Sequence, residues 1–248
     1  EAYRAKQINE QHEKQALRSL LGKRTETADG KVLAVYSNIG KPADAGAVLD
    51  NDGEGVGLFR TEFLFMDRDT CPTEDEQFAA YKQVAEKMKG KEVIIRTLDV
   101  GGDKEIAYLH MDKEENPFLG HRAIRYCLDT PDIFETQLRA LLRASAYGKI
   151  KIMLPLVTTV TEVRRAKEIL ERLKAKLKEE SIPFNENIPV GVMIETPSAA
   201  VIADVLAKES DFFSIGTNDL TQYTMAGDRG NSKVAPMNSP LNPSVLRL

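Results

Sequence analysis

From residue 31 onward, short apolar runs alternate with longer stretches whose apolar residues recur every three or four positions. The runs VLAVYSNI (32–39), GVGLF (55–59), EVIIRTL (92–98), KIKIMLPLV (149–157), IPVGVMIE (188–195) and DFFSIG (211–216) have strand character. Between them the period changes to that of a helix. Pro42, a favoured first-turn residue, opens a short helix over 42–51. Thr73 and Glu76 form a capping box ahead of a helix with Phe78, Tyr81, Val84 and Met88 on one face. Helices follow around 118–128 and over 132–147, the second entered through Pro131 and Asp132. Thr159 and Glu162 cap another, whose stripe is Val160, Val163, Ala166, Ile169, Leu173 and Leu177, and residues 197–207 form one more. Repeated strand–helix units predict an α/β fold with a parallel sheet. About six units are present where a closed barrel needs eight. A barrel short of its last two strands leaves two unpaired edges. After Asp219 the pattern reads as loop, through Gly227, Gly230, Pro236, Pro240 and Pro243, until SVLRL (244–248) opens another helix.

Residues 1–22 differ. Their larger apolar positions are Ile8, Leu17, Leu20 and Leu21, a stripe too thin for a core helix. They read as the end of an interdomain connector, and Glu1 in place of a starting Met suggests a piece of a longer chain. The expected division is therefore a linker helix at 1–22 and a partial barrel at 23–248.

The 248 residues are 42% hydrophobic, enough for one sizeable core. A net charge of −4 with interspersed signs argues against a nucleic-acid surface. No apolar run approaches the ~20 residues of a bilayer span, and no leader pattern opens the chain, so no membrane insertion is expected. Cys71 and Cys127 lack metal or redox spacing and read as structural, with a reduced, cytoplasmic setting as the default. Of His12, His110 and His121, none sits in a setting suited to a phospho-acceptor; His121, beside Arg122, is a candidate to line a pocket.

The chemistry gathers where apolar runs stop. VGVMIETPSAA (190–200) and SIGTNDLTQYT (214–224) each pass from a strand to a carboxylate, Glu195 and Asp219. The C-terminal ends of parallel strands are where such folds place their sites. Two acids without a Cys/His cluster suit a hard cation, and Mg²⁺ takes one or two carboxylates with substrate oxygens and water. Arg60 and Arg96 also follow strands directly, and Arg122, Arg125 and Arg229 lie farther on. Guanidinium matches phosphate and carboxylate as a fork, so a small substrate carrying both groups fits, whereas Arg125 reads as a surface ion pair. In DVGGDK (99–104), glycines allow close backbone approach to an anion and Lys104 adds a mobile charge.

These motifs resemble a known family over nearly the whole chain. GLFRTEFLFMDRD, IIRTLDVGGDK, EENPFLGHRAIR, VMIETPSAA, FFSIGTNDLTQYT and DRGN are similar to the C-terminal, phosphoenolpyruvate-binding domain of the Enzyme I family of the bacterial sugar phosphotransferase system. The resemblance implies a (β/α)₈ TIM-type barrel, incomplete here, with phosphoenolpyruvate and Mg²⁺ at its C-terminal rim. It implies that Arg60, Arg96 and Arg229 grip the substrate, with Asn218, the backbone at Asp219 and Lys104 assisting. Glu195 and Asp219 match metal ligands, and Arg122 matches an arginine at the reacting end. The implied activity is phosphoryl transfer from phosphoenolpyruvate to a histidine on a separate N-terminal domain, then to the carrier HPr, in a cytoplasmic homodimer. The acceptor histidine and the family's proton-donor cysteine have no counterpart in this chain, so full transfer by the chain alone is not expected. Asn231–Pro240 departs from the family pattern. The related dikinase and synthase share several elements but differ at DVGGDK and around Arg229. A Mg²⁺-dependent pyruvate-enolate aldolase or lyase would not need so many arginines, and a phosphoenolpyruvate-binding or dimerisation module without turnover is the non-enzymatic alternative.

Overall fold

Each apolar run becomes a strand, and all are shorter than their runs except the second, which extends by one residue to Arg60. In the computed structural model, which describes residues 2–102 and 106–248, β1 spans Tyr36–Ile39, β2 Gly55–Arg60 and β3 Val93–Arg96. β4 spans Ile150–Leu154, β5 Val190–Ile194 and β6 Phe213–Ile215. The strands pair in chain order, and every neighbouring pair is parallel. Parallel neighbours need a crossover, and helices supply it. The helices are α1 (Ala2–Arg18), α2 (Ala45–Asp50), α3 (Glu62–Phe65), α4 (Glu74–Lys87), α5 (Ile124–Asp129) and α6 (Pro131–Ala144). They continue with α7 (Val160–Glu179), α8 (Pro197–Val201), α9 (Ala203–Leu206), α10 (Thr217–Met225) and α11 (Pro243–Leu246).

The two capping boxes form as their spacing requires. Thr73 Oγ1 accepts from the Glu76 amide at 3.2 Å, and Thr159 Oγ1 from Glu162 at 3.4 Å. Elsewhere local geometry overrides the pattern. The run over 32–39 yields a strand only from Tyr36, because Val32, Leu33 and Val35 stay exposed and Val32 makes a lone antiparallel bridge to Glu26. The helix expected around 118 begins at Ile124, after Ala123 adopts φ 52°. Residues 197–207 split in two at Ile202, whose ψ of 22° leaves the helical region.

The stretch after Asp219 gives the main correction. As far as Met225 it is not loop but the continuation of α10, in which Asp219, Leu220, Thr221 and Gln222 are buried. Asp219 therefore stands in the first turn of a helix, not at the strand end itself. Thr, Asn and Asp compete with the helical backbone and disguise the segment locally; burial of residues 219–222 overrides that preference.

The core lies between the sheet and its helices. Phe59, Ile95, Ile152, Val192 and Ile194 face it with Tyr81, Phe134, Leu141 and Leu170. A register shift between Val56 and Phe59 lets both enter this core. The opposite face of the sheet carries Leu58, Arg60, Arg96, Met193 and Glu195 into a cavity.

Candidate functional site

Strand register brings the arginines together. Arg60, the last residue of β2, is the direct pairing partner of Arg96, the last residue of β3. Both therefore leave the sheet at one rim. Arg96 is buried, with Nη2 2.9 Å from Glu62 Oε1 and Nη1 3.0 Å from Asp99 Oδ2. Arg122, also buried, places Nη2 2.8 Å from Asp99 Oδ1 and donates from Nη1 to the Tyr223 hydroxyl at 3.3 Å. Asp99 thus bridges two guanidinium groups. Desolvation works against charging either arginine, and the neighbouring carboxylates outweigh it, so both pKa values rise. Arg60 is exposed; its guanidinium lies 5.4 Å from the Phe63 ring centroid, and it makes no ion pair among the described residues.

Glu195 follows β5 directly and is 2% exposed. Its Oε1 accepts the Leu156 amide at 2.6 Å. Leu156 holds φ 53° to aim that amide, and Ala123, next to Arg122, holds φ 52°. Such conformations cost on the order of 1–3 kcal/mol each and gather at functional sites. Burial, then Asp99 and Asp219, push the Glu195 carboxyl up to about 8 against the pull of Arg96. Asp219 is buried, and its Oδ1 lies 3.1 Å from Arg229 Nη2, poorly aligned, so that oxygen accepts no hydrogen bond.

These groups line one cavity of about 600 Å³, along with Asn38, Gly216 and Asn218. Among the described residues its wall carries four arginines (Arg60, Arg96, Arg122, Arg229) and three carboxylates (Asp99, Glu195, Asp219). No space remains for a side chain at Gly216, since a Cβ there would meet Glu195 Oε2 at 2.6 Å.

The sequence-predicted residues Arg60, Arg96, Arg122, Glu195, Asn218, Asp219 and Arg229 all line this cavity. Lys104 lies outside the described residues. Among the described residues Arg125 makes no ion pair; its Nη1 donates to the carbonyls of Leu119 and Gly120 at 3.0 Å. His121 sits apart, 3.2 Å from Asp129. Glu62, Asp99 and Tyr223 escaped the sequence reading. The signal for the first two was a carboxylate within three residues of a strand-end arginine, RTE and RTLD; nothing in the pattern marked Tyr223.

A carboxyl this raised, beside a second buried acid with an unbonded oxygen, fits a divalent cation. Among the described residues no group of three or more His, Cys, Asp or Glu is placed to hold a metal. A two-acid site is nonetheless within the habit of Mg²⁺.

Comparison with known proteins bears on this arrangement. Residues 14–248 match the family model described as PEP-utilising enzyme, PEP-binding domain. The chain belongs to that family. It is 56% identical over 247 residues to the phosphoenolpyruvate-protein phosphotransferase of Priestia megaterium, covering 100% of this chain and 43% of that protein. It is 58% identical over 229 residues to the protein of the same name from Bacillus subtilis (strain 168), covering 92% of this chain and 40% of the relative. The chain therefore spans less than half the length of these phosphoenolpyruvate-utilising relatives. No helix among the described residues is long and apolar enough to cross a membrane.

Proposed function

We propose that the cavity binds phosphoenolpyruvate with Mg²⁺ and presents its phosphoryl group to a histidine elsewhere in the full polypeptide, which then passes it to HPr. The observation that carries this reading is the pairing of Arg60 with Arg96 at one rim, above the two buried acids of the same cavity. Arg60, Arg96 and Arg229 hold the phosphate and carboxylate as charge-assisted forks. Asn218 and the Asp219 backbone assist, and Lys104 is a supporting contact. Arg122, fixed by Asp99, faces the reacting end. Glu195 and Asp219 hold Mg²⁺, which supplies Lewis-acid stabilisation as charge leaves the phosphoryl group for the enolate. Arg229, 3.1 Å from Asp219 and on the wall of the same cavity, lies within reach of an anion bound there. Phosphoryl transfer asks chiefly for positioning and charge stabilisation, and these residues offer both.

The six parallel strands are read as six of the eight of a (β/α)₈ barrel. Residues 1–22 are read as an interdomain linker, and the working enzyme as a cytoplasmic homodimer. An aldolase or lyase would leave this concentration of arginines without a task, and a dikinase or synthase is disfavoured by the DVGGDK segment. The test uses the full polypeptide and phosphoenolpyruvate labelled in its phosphoryl group. Acid-labile label should appear on the protein in the presence of Mg²⁺, and Arg60→Ala should slow labelling about 100-fold. Mg²⁺-dependent aldol cleavage without protein labelling would overturn the reading.

A further inference from the structure

Beneath the arginine rim lies a buried polar chain that the proposed reaction does not use. Gln137, on α6, is 1% exposed, and so is Gln77; Thr61 and Tyr81 are 0% exposed. The Gln137 Oε1 accepts the Leu98 amide at 2.8 Å. Its Nε2 donates to Thr61 Oγ1 at 3.2 Å and to the Tyr81 hydroxyl at 3.1 Å. Thr61 Oγ1 in turn donates to the Arg96 carbonyl at 2.8 Å. Tyr81 donates onward to Gln77 Oε1 at 3.0 Å, and Gln77 Nε2 to the Pro72 carbonyl at 3.0 Å.

The amide orientation is fixed by chemistry. A backbone N–H only donates, so the Gln137 oxygen must face Leu98 and its nitrogen must face the two hydroxyls. All the amide's polar hydrogens and its oxygen are then used, inside a core that penalises any unmet group.

Its partners have a common property. Thr61 lies between Arg60 and Glu62, and Leu98 directly precedes Asp99. Those neighbours are the exposed arginine, the carboxylate on Arg96, and the carboxylate that bridges Arg96 and Arg122. One amide thus ties together the ends of β2 and β3 at the points where their charged groups leave the sheet. We infer that Gln137 is a positioning residue for the anion-binding arginines, setting the relative placement of Arg60 and Arg96 without touching the substrate. This role rests on the proposed phosphoenolpyruvate site. It goes beyond that site in assigning substrate affinity to a helix residue behind the sheet. Small displacements of a bidentate grip are costly, which gives such a brace its leverage.

The experiment is calorimetric titration of the full polypeptide with phosphoenolpyruvate and Mg²⁺, well below the unfolding temperature of each variant. Gln137→Met removes both strand-end bonds and the bond to Tyr81 at similar length, and Thr61→Val removes the Gln137 bond together with Thr61's own bond to the Arg96 carbonyl without change of shape. Tyr81→Phe cuts only the outer arm of the chain and serves as the comparison. All three should unfold at lower temperature than wild type. Gln137→Met and Thr61→Val should weaken phosphoenolpyruvate binding about tenfold, and their combination little further. Tyr81→Phe should bind within about twofold of wild type. Should Gln137→Met fail to fold, Gln137→Glu, which loses the amide hydrogens that Thr61 and Tyr81 accept, takes its place against Tyr81→Phe. Wild-type affinity in Thr61→Val and the foldable Gln137 variant, or an equal loss in all three variants, overturns the positioning role. A wild type that does not bind phosphoenolpyruvate overturns the site itself and this role with it.

Discussion

Arg96 does two jobs with one side chain. It neutralises Glu62 and Asp99 inside the protein, and it is proposed to hold the substrate. Arg96→Ala should therefore weaken phosphoenolpyruvate binding by at least about 2 kcal/mol, through loss of a charge-assisted fork. It should also lower stability by about 3–5 kcal/mol, because two buried carboxylates lose a partner. Calorimetry and denaturant unfolding measure the two separately; unchanged binding would remove Arg96 from the substrate. Glu195 makes a pH prediction. Its carboxyl is pushed up from an ordinary 4.5 to about 8, so the folded chain retains a proton that the unfolded chain releases. Its contribution is complete below pH 4.5 and is lost as pH rises through about 8. Without metal, thermal unfolding should fall between pH 6 and 8.5, and Glu195→Gln should flatten that slope. Added Mg²⁺ should stabilise the wild type more at the higher pH, where the carboxylate is ionised. A metal-free profile identical in wild type and variant would contradict the assignment.

Among the elements, those built from local signals were legible and those built from tertiary contact were not. Thr73 and Thr159 announced α4 and α7 because a capping box lies within four residues. Runs of Val, Ile and Met announced the strands because sheets buried on both faces need them. The α10 helix was missed because its Thr, Asn and Asp residues disfavour helix, and only packing reveals it. The same distinction divides the site. Arg60, Arg96 and Glu195 stand where strands stop, and that is visible in one dimension. Gln137 sits in an ordinary amphipathic helix, 76 residues from Thr61 and 39 from Leu98, and nothing in its neighbours marks it. The junction of β6 with α10 also yields a test. A methyl at Gly216 would lie 2.6 Å from both Cβ and Oε2 of Glu195. Gly216→Ala should displace that carboxylate and weaken Mg²⁺-dependent binding about tenfold or more, with a smaller effect on the fold. Wild-type Mg²⁺ dependence in this variant would show that Glu195 is not held there for the metal.

At the scale of the whole molecule, the sheet has two open sides. Beyond β1 and β6 no further strand pairs among the described residues. Ile215, the last residue of β6, is 69% exposed, and Val201, at the end of α8, 71%. Unpaired parallel edges with apolar neighbours invite association. The 248-residue chain by itself should sediment as oligomers whose size grows with concentration; a monodisperse monomer that unfolds cooperatively would contradict this. The central claim is that arginines and two metal-binding acids converge on one anionic substrate. Titration calorimetry of phosphoenolpyruvate into the full polypeptide, with and without Mg²⁺, tests it most directly. The account predicts that Mg²⁺ tightens binding about tenfold or more, that Glu195→Gln and Asp219→Asn abolish this gain, and that Arg60→Ala weakens binding under both conditions. Affinity indifferent to Mg²⁺, or a gain that survives loss of both acids, would contradict it.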